Sequence, residues 1–208
     1  MTDPEHMYRW RRMTDEQRAA VLEQRREKHE PWHSPPHYES DSTTYYMITA
    51  ACFEHRHVIG HSPERMLAFE KELVEVLTSQ SRTLFAWNLL PNHYHSLVDT
   101  ESVKAVLREL GRLHGRSSFA WNGEENKRGR QVWYNAAETA MKSERHFYAS
   151  LNYVLHNAVY HGYATLWTEW PYCNASEYIE AVGREKATQL WKAYPLYDYG
   201  KDWDPSDL

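Results

Sequence analysis

Residues 82–98 read RTLFAWNLLPNHYHSLV, and on this stretch the fold turns. Two short apolar segments, 82–91 and 93–98, meet at Pro91-Asn92, a spacing that predicts a tight β-hairpin. The second segment carries His93-Tyr94-His95. Residues two apart on a strand share a face, so both imidazoles project together and can chelate one divalent ion. With 13 histidines in the chain, such a pair also arises by chance, and His55-Arg56-His57 is a second example. The difference is setting: a bulky Tyr94 between the histidines, running into Leu97-Val98, anchors the strand in a core, whereas the second pair follows the end of a strand. At this level His93 and His95 read either as ordinary sheet histidines or as metal ligands.

Upstream, TTYYMITAACF (43–53) is rich in β-branched and aromatic residues and predicts a buried strand. Ser62-Pro63-Glu64 announces a helix by its serine cap and first-turn proline, with Met66, Phe69, Leu73, Val76 and Leu77 on one face. Before the strand, residues 14–30 predict a charged helix and PWHSPPHYESD a linker. Arg9, Arg11 and Arg12 in this arm suit either a DNA stem or plain solvation. Downstream come a helix over 101–118, a basic loop over 123–129 leading into QVWYN, and a long helix over 142–162 ended by glycine. Trp170-Pro171-Tyr172 reads as a packing turn. A further short helix precedes an acidic tail with Asp198, Asp202, Asp204 and Asp207, a candidate shield for basic surface. The order of elements gives an α+β fold, a ferredoxin-like antiparallel sheet with helices on one face. The expected organisation is an arm and linker over 1–40, a single domain over 41–175, and a C-terminal helix and tail over 176–208.

At 208 residues, 41% hydrophobic and 14% aromatic, the chain suffices for one well-buried domain with appendages. No run of about eighteen apolar residues occurs, so the expectation is a soluble cytoplasmic protein with no membrane partner. Cys52 and Cys173 stand in unrelated contexts and read as buried thiols. A net charge of −5 excludes DNA coating by bulk electrostatics. One window departs from that balance. Lys104, Arg108, Arg112, Arg116, Lys127, Arg128 and Arg130 outnumber Glu109, Glu124 and Glu125, and Phe119, Trp121, Trp133 and Tyr134 are interleaved. Cations alternating with aromatics suit a DNA-binding surface where unpaired bases stack.

On the helix over 142–162, Phe147, Leu151, Val154, Leu155 and Ala158 form the core stripe. Tyr153 and Asn157 lie off it, one turn apart, on a face expected to be open. Tyr160 is a rival on nearly the same face as Tyr153, and Tyr148 points elsewhere. Two imidazoles and an amide oxygen can hold a divalent ion, and a neighbouring phenol can attack a phosphate.

The run LLPNHYHSLV resembles the HUH segment of the REP-associated tyrosine transposases, with Pro91, Asn92, His93, Tyr94, His95, Leu97 and Val98 fitting the pattern. That family's second signature, a tyrosine with asparagine four residues on and a tryptophan-proline-tyrosine element downstream, is matched by Tyr153, Asn157, Val159, Trp170, Pro171 and Tyr172. Two positions depart: Ala158 stands where the family has proline, and Leu155 where it often has histidine, with His156 one place later. The resemblance spans residues 42–175. It implies an HUH endonuclease fold, Tyr153 as nucleophile, and His93, His95 and Asn157 as ligands of Mg2+ or Mn2+. The implied activity is a bacterial, nucleoid-associated DNA transposase that nicks and rejoins single-stranded or hairpin DNA, in structured repeats, through a 5′-phosphotyrosine. The protein is then a monomer or weak homodimer. The alternatives are a catalytically retired hairpin-binding protein or repressor, to which Ala158 and the acidic charge point, and a metal-dependent hydrolase of small phosphoesters.

Overall fold

The structure is a computed structural model that describes residues 43–196 together with Thr14, Glu16, Ala20 and Glu23. The expectations for the rest of the arm, its linker and arginines, and the acidic tail beyond 196 lie outside the described residues. The chain divides into two compact units, Glu39–Tyr199 and Met1–Tyr38 with Gly200–Leu208. The sheet, its helices and the candidate site all belong to the first.

Strand β1 (Tyr45–Ala51) leads through two single turns of 3-10 helix to α1 (Pro63–Gln80). The hairpin follows as β2 (Thr83–Leu89) and β3 (His93–Asp99), then α2 (Val103–Glu124), β4 (Ala137–Ala140), α3 (Glu144–Tyr160), α4 (Ala175–Val182) and α5 (Arg184–Ala193). The sheet runs β2-β3-β1-β4, antiparallel throughout. The three long helices start alike. Ser62, Ser102 and Ser143 each accept a backbone N–H from three residues on, at 3.2, 3.3 and 3.1 Å, and such caps contribute about 1 kcal/mol each.

The α+β class and the antiparallel sheet are as expected, but the helices occupy two faces rather than one. In the central strands, Tyr46, Ile48, Ala50, Tyr94 and Val98 point into a core shared with Phe69, Leu73 and Leu77 of α1 and Val106, Leu110 and Leu113 of α2. Their alternates Met47 and Leu97 point the other way, against Leu151, Val154 and Leu155 of α3. Strands β1 and β3 are buried on both sides, so helices cover both faces of the sheet. A bulge in β2 between Leu84 and Ala86 lets Leu84 join the first core and Ala86 the second.

The segment after α3 closes the second layer. Leu89 N–H donates to Tyr172 O at 2.9 Å and Trp170 Nε1 to Leu89 O at 2.9 Å, so Trp170-Pro171-Tyr172 covers the free edge of β2, the packing role expected of it. His156 of α3 is stacked between Trp167 and Trp191, with ring centroids at 4.5 and 3.7 Å. Asn152 donates to Leu190 O and Tyr194 O. Helix α3 is thus enclosed by sheet on one side and the C-terminal segment on the other.

Two stability predictions arise here. A Cβ added at Gly60 would lie 2.9 Å from Pro91 Cα, and Gly60 N–H already donates to Pro91 O at 2.8 Å. Gly60→Ala should lower stability by about 1–3 kcal/mol through overpacking, read from urea midpoints; a neutral result would mean that the loop yields. Burial also holds His114 down to about 3 and His156 down to about 4, from an ordinary value of 6.5. Both rings stay neutral in the folded chain and protonate first in the unfolded one. Stability is therefore full above pH ~6.5 and is lost as pH falls toward ~4, by at most ~1.4 kcal/mol per pH unit for each ring. Urea unfolding at successive pH values checks this, and His114→Phe should make the decline shallower. An unchanged decline in that variant would assign it to other groups.

Candidate active site

Strand β3 is central, and its odd residues face α3. His93 and His95 are therefore carried into the second layer, 1% and 0% exposed, with ring centroids 5.1 Å apart. Tyr94 anchors the opposite face, its hydroxyl 3.1 Å from His114 Nε2. The pair His55-Arg56-His57 is placed differently. It lies in a turn where Glu54 and His55 take left-handed backbone, φ 59° and 50°, and its rings pack separately, His55 near Tyr134 and His57 near Tyr163.

Each site imidazole is oriented through Nδ1. His95 Nδ1 meets Thr49 Oγ1 at 2.8 Å, since Thr49 is its cross-strand partner on β1. His93 Nδ1 meets Asn92 Oδ1 at 2.7 Å. The Asn92 amide is fixed because its Nδ2 donates to His55 O at 3.1 Å, so its oxygen can only accept and the His93 proton sits on Nδ1. His93 Nε2 then presents a lone pair to Asn157 Oδ1, 3.2 Å away. Two acceptors so close repel each other unless a cation lies between them or the amide turns over. Asn157 Nδ2 is buried without a hydrogen-bond partner among the described residues. A separation of 3.2 Å matches adjacent ligands with bonds of ~2.1 Å near a right angle. His93 Nε2 and Asn157 Oδ1 are therefore spaced as two ligands of one divalent ion would be, with the His95 ring beside them. Among the described residues no group of three or more histidine, cysteine, aspartate or glutamate side chains is placed to hold a metal ion.

Tyr153 is brought to this site, its ring 5.0 Å from that of His95. The helix face is not open, however. Tyr153 is 1% exposed and Asn157 fully buried, a correction whose reason is that this face of α3 turns toward β3, against His95 and His93. Tyr160 is 48% exposed, its ring 6.4 Å from that of Tyr153. Tyr148 stacks on Tyr194 instead. Sequence reading missed His161, whose ring lies 4.9 Å from His93. It follows Asn157 by four residues as Asn157 follows Tyr153, and that spacing was a usable signal. Thr49 carried no such signal, because only strand register pairs it with His95.

The basic window is split. Lys104, Arg108, Arg112 and Arg116 run along α2, which covers the sheet face opposite His93 and His95. Arg112 pairs with Glu109 at 2.7 Å and Arg116 with Glu72 at 3.3 Å. Arg130 is 2.7 Å from Glu125 in a network that also takes in Lys127 and Arg65. Trp121 and Trp133 are core residues, 6% and 7% exposed, which corrects their reading as stacking platforms. Phe119 is 71% exposed with Arg128 over its ring at 4.3 Å. Cys52 and Cys173 are free and buried, as expected.

An antiparallel sheet thus carries paired imidazoles on a central strand, faced by a helix bearing tyrosine and asparagine one turn apart. A REP-associated tyrosine transposase bound to a REP hairpin superimposes with a TM-score of 0.54 at 15% identity, covering 72% of this chain and 87% of that one. The chain thus has the fold of that transposase. A protein from Deinococcus radiodurans R1 assigned as a transposase aligns with a TM-score of 0.36 at 13% identity, over 60% of this chain and 97% of that one. No protein-family model and no curated protein matches the chain. Among the described residues no helix is long and apolar enough to cross a membrane.

Proposed function

We propose that this chain is a metal-dependent DNA strand transferase acting on single-stranded or hairpin DNA. The observation that carries the reading is the meeting of His93 Nε2 and Asn157 Oδ1 at 3.2 Å, beside His95 and within one helical turn of Tyr153. The likeness in fold to a transposase holding a REP hairpin supports hairpin DNA as the partner. His93, His95 and Asn157 would hold Mg2+ or Mn2+, which supplies Lewis-acid polarisation of a phosphate when bound. Asn92 and Thr49 orient the two imidazoles. Tyr153 is the nucleophile: its Oη bonds to phosphorus as the bond to the 3′-oxygen breaks. The phenol gives up one proton and the departing 3′-oxygen gains one, leaving a 5′-phosphotyrosine and a 3′-hydroxyl. A phosphodiester keeps the energy of the broken bond, so a second 3′-hydroxyl can reverse the attack and join strands. A labelled hairpin oligonucleotide incubated with the chain and Mn2+ should give a covalent adduct on denaturing gels.

The second reading is a hairpin-binding protein that does not cut. One observation favours it, the 1% exposure of Tyr153. It predicts binding of the same oligonucleotide with no adduct under any metal.

A further inference from the structure

The loop after β1 folds back onto the hairpin turn that precedes His93, through the hydrogen bonds of Gly60 to Pro91 and of Asn92 to His55. Between this loop and the loop after α2 lies a cleft of about 300 Å3 lined by Arg56, His57, His61, Glu125, Lys127 and Arg130. Three cationic side chains face one carboxylate. Glu54, Glu124 and Arg65 reach in from behind by ion pairing, and with them the cations still outnumber the carboxylates in a chain of net charge −5. Arg130, its side chain 14% exposed, is part of the wall. Arg56 and Lys127 have side chains 58% and 57% exposed and are paired with Glu54 and Glu125, surface pairs weak enough for a phosphate to compete with. His57 Nε2 lies 3.3 Å from Tyr163 Oη, which ties the cleft to the segment leaving α3. The cleft thus adjoins both elements of the candidate site, the turn before His93 and the end of the helix that bears Asn157.

We infer that this cleft holds the phosphodiester backbone of the DNA strand that enters the site, with Arg56 and Lys127 as its direct phosphate contacts. The inference rests on the proposed function and goes beyond it by assigning the path of the strand. The stripe on α2 is the competing surface; its Arg112 and Arg116 are paired with carboxylates just as Arg56 and Lys127 are, and what sets it apart is its place across the sheet from His93 and His95. A cation that neutralises a phosphate releases counterions and adds about one to the salt dependence of binding.

The test is fluorescence anisotropy of a labelled hairpin oligonucleotide with a single-stranded flank, titrated with the full chain over a series of salt concentrations. The double variant R56A/K127A should bind on the order of tenfold more weakly at low salt, with a salt slope reduced by about one to two. The variant R108A/R112A should bind within about twofold of the parent. These side chains are exposed, and thermal melts confirm that each variant folds. Parent-like affinity and slope in R56A/K127A, or a loss confined to R108A/R112A, overturns the inference and leaves the proposed function standing. A parent chain that binds no hairpin overturns both.

Discussion

Replacing Tyr153 by phenylalanine is expected to abolish the covalent adduct with hairpin DNA, a loss on the order of 10³-fold or more, as for removal of a nucleophile. The substitution deletes one oxygen and keeps the ring packed against His95 at 5.0 Å. Thermal stability and hairpin affinity should hardly change, which separates chemistry from folding. Tyr160→Phe is the control, since Tyr160 is the exposed neighbour of Tyr153. An adduct that persists in Tyr153→Phe and disappears in Tyr160→Phe would move the nucleophile to the end of the helix. Burial of Tyr153 adds a further expectation. The phenol has to leave its packing between α3 and β3 to meet the strand, so adduct formation should be slower than hairpin binding, measurable by mixing experiments.

The second large effect concerns the ion. Mn2+ at ~100 times its dissociation constant should stabilise the parent by about 2.7 kcal/mol, and His95→Ala should abolish this gain. Because His95 is fully buried, that variant also loses intrinsic stability, so the reading is the difference with and without metal rather than either melting temperature. Thr49→Val gives the gentler test. It keeps the shape of the side chain while removing the oxygen 2.8 Å from His95 Nδ1, and loss of such an orienting partner weakens metal binding about 10–100-fold. Equal stabilisation of parent and His95→Ala by Mn2+ would remove His95 from the ligand set.

The hairpin over 82–98, the common facing of His93 and His95, the serine-capped start of α1 and the packing of Trp170-Pro171-Tyr172 were all legible in the chain. Each depends on spacing within a few residues, where backbone geometry alone decides which side chains stand together. The ridge of Tyr153 and Asn157 was legible for the same reason, and His161 could have been added to it. Tertiary structure alone decided the remainder. Alternate residues of β1 and β3 buried on opposite faces, Met47 and Leu97 against α3 and Ile48, Tyr94 and Val98 against α1 and α2, divided the helices over two layers, and this set the Lys104–Arg116 stripe across the sheet from the imidazoles. The face of α3 that periodicity leaves open turned toward β3, so that Tyr153 packs on His95 and Asn157 meets His93, because a helical repeat shows which residues share a side but not what comes to lie against it. Strand register gave His95 its partner Thr49, 46 residues away in the chain, and the return of the loop after β1 gave Asn92 its anchor at His55. Such contacts join residues with no local relation, and only the packed chain brings them together.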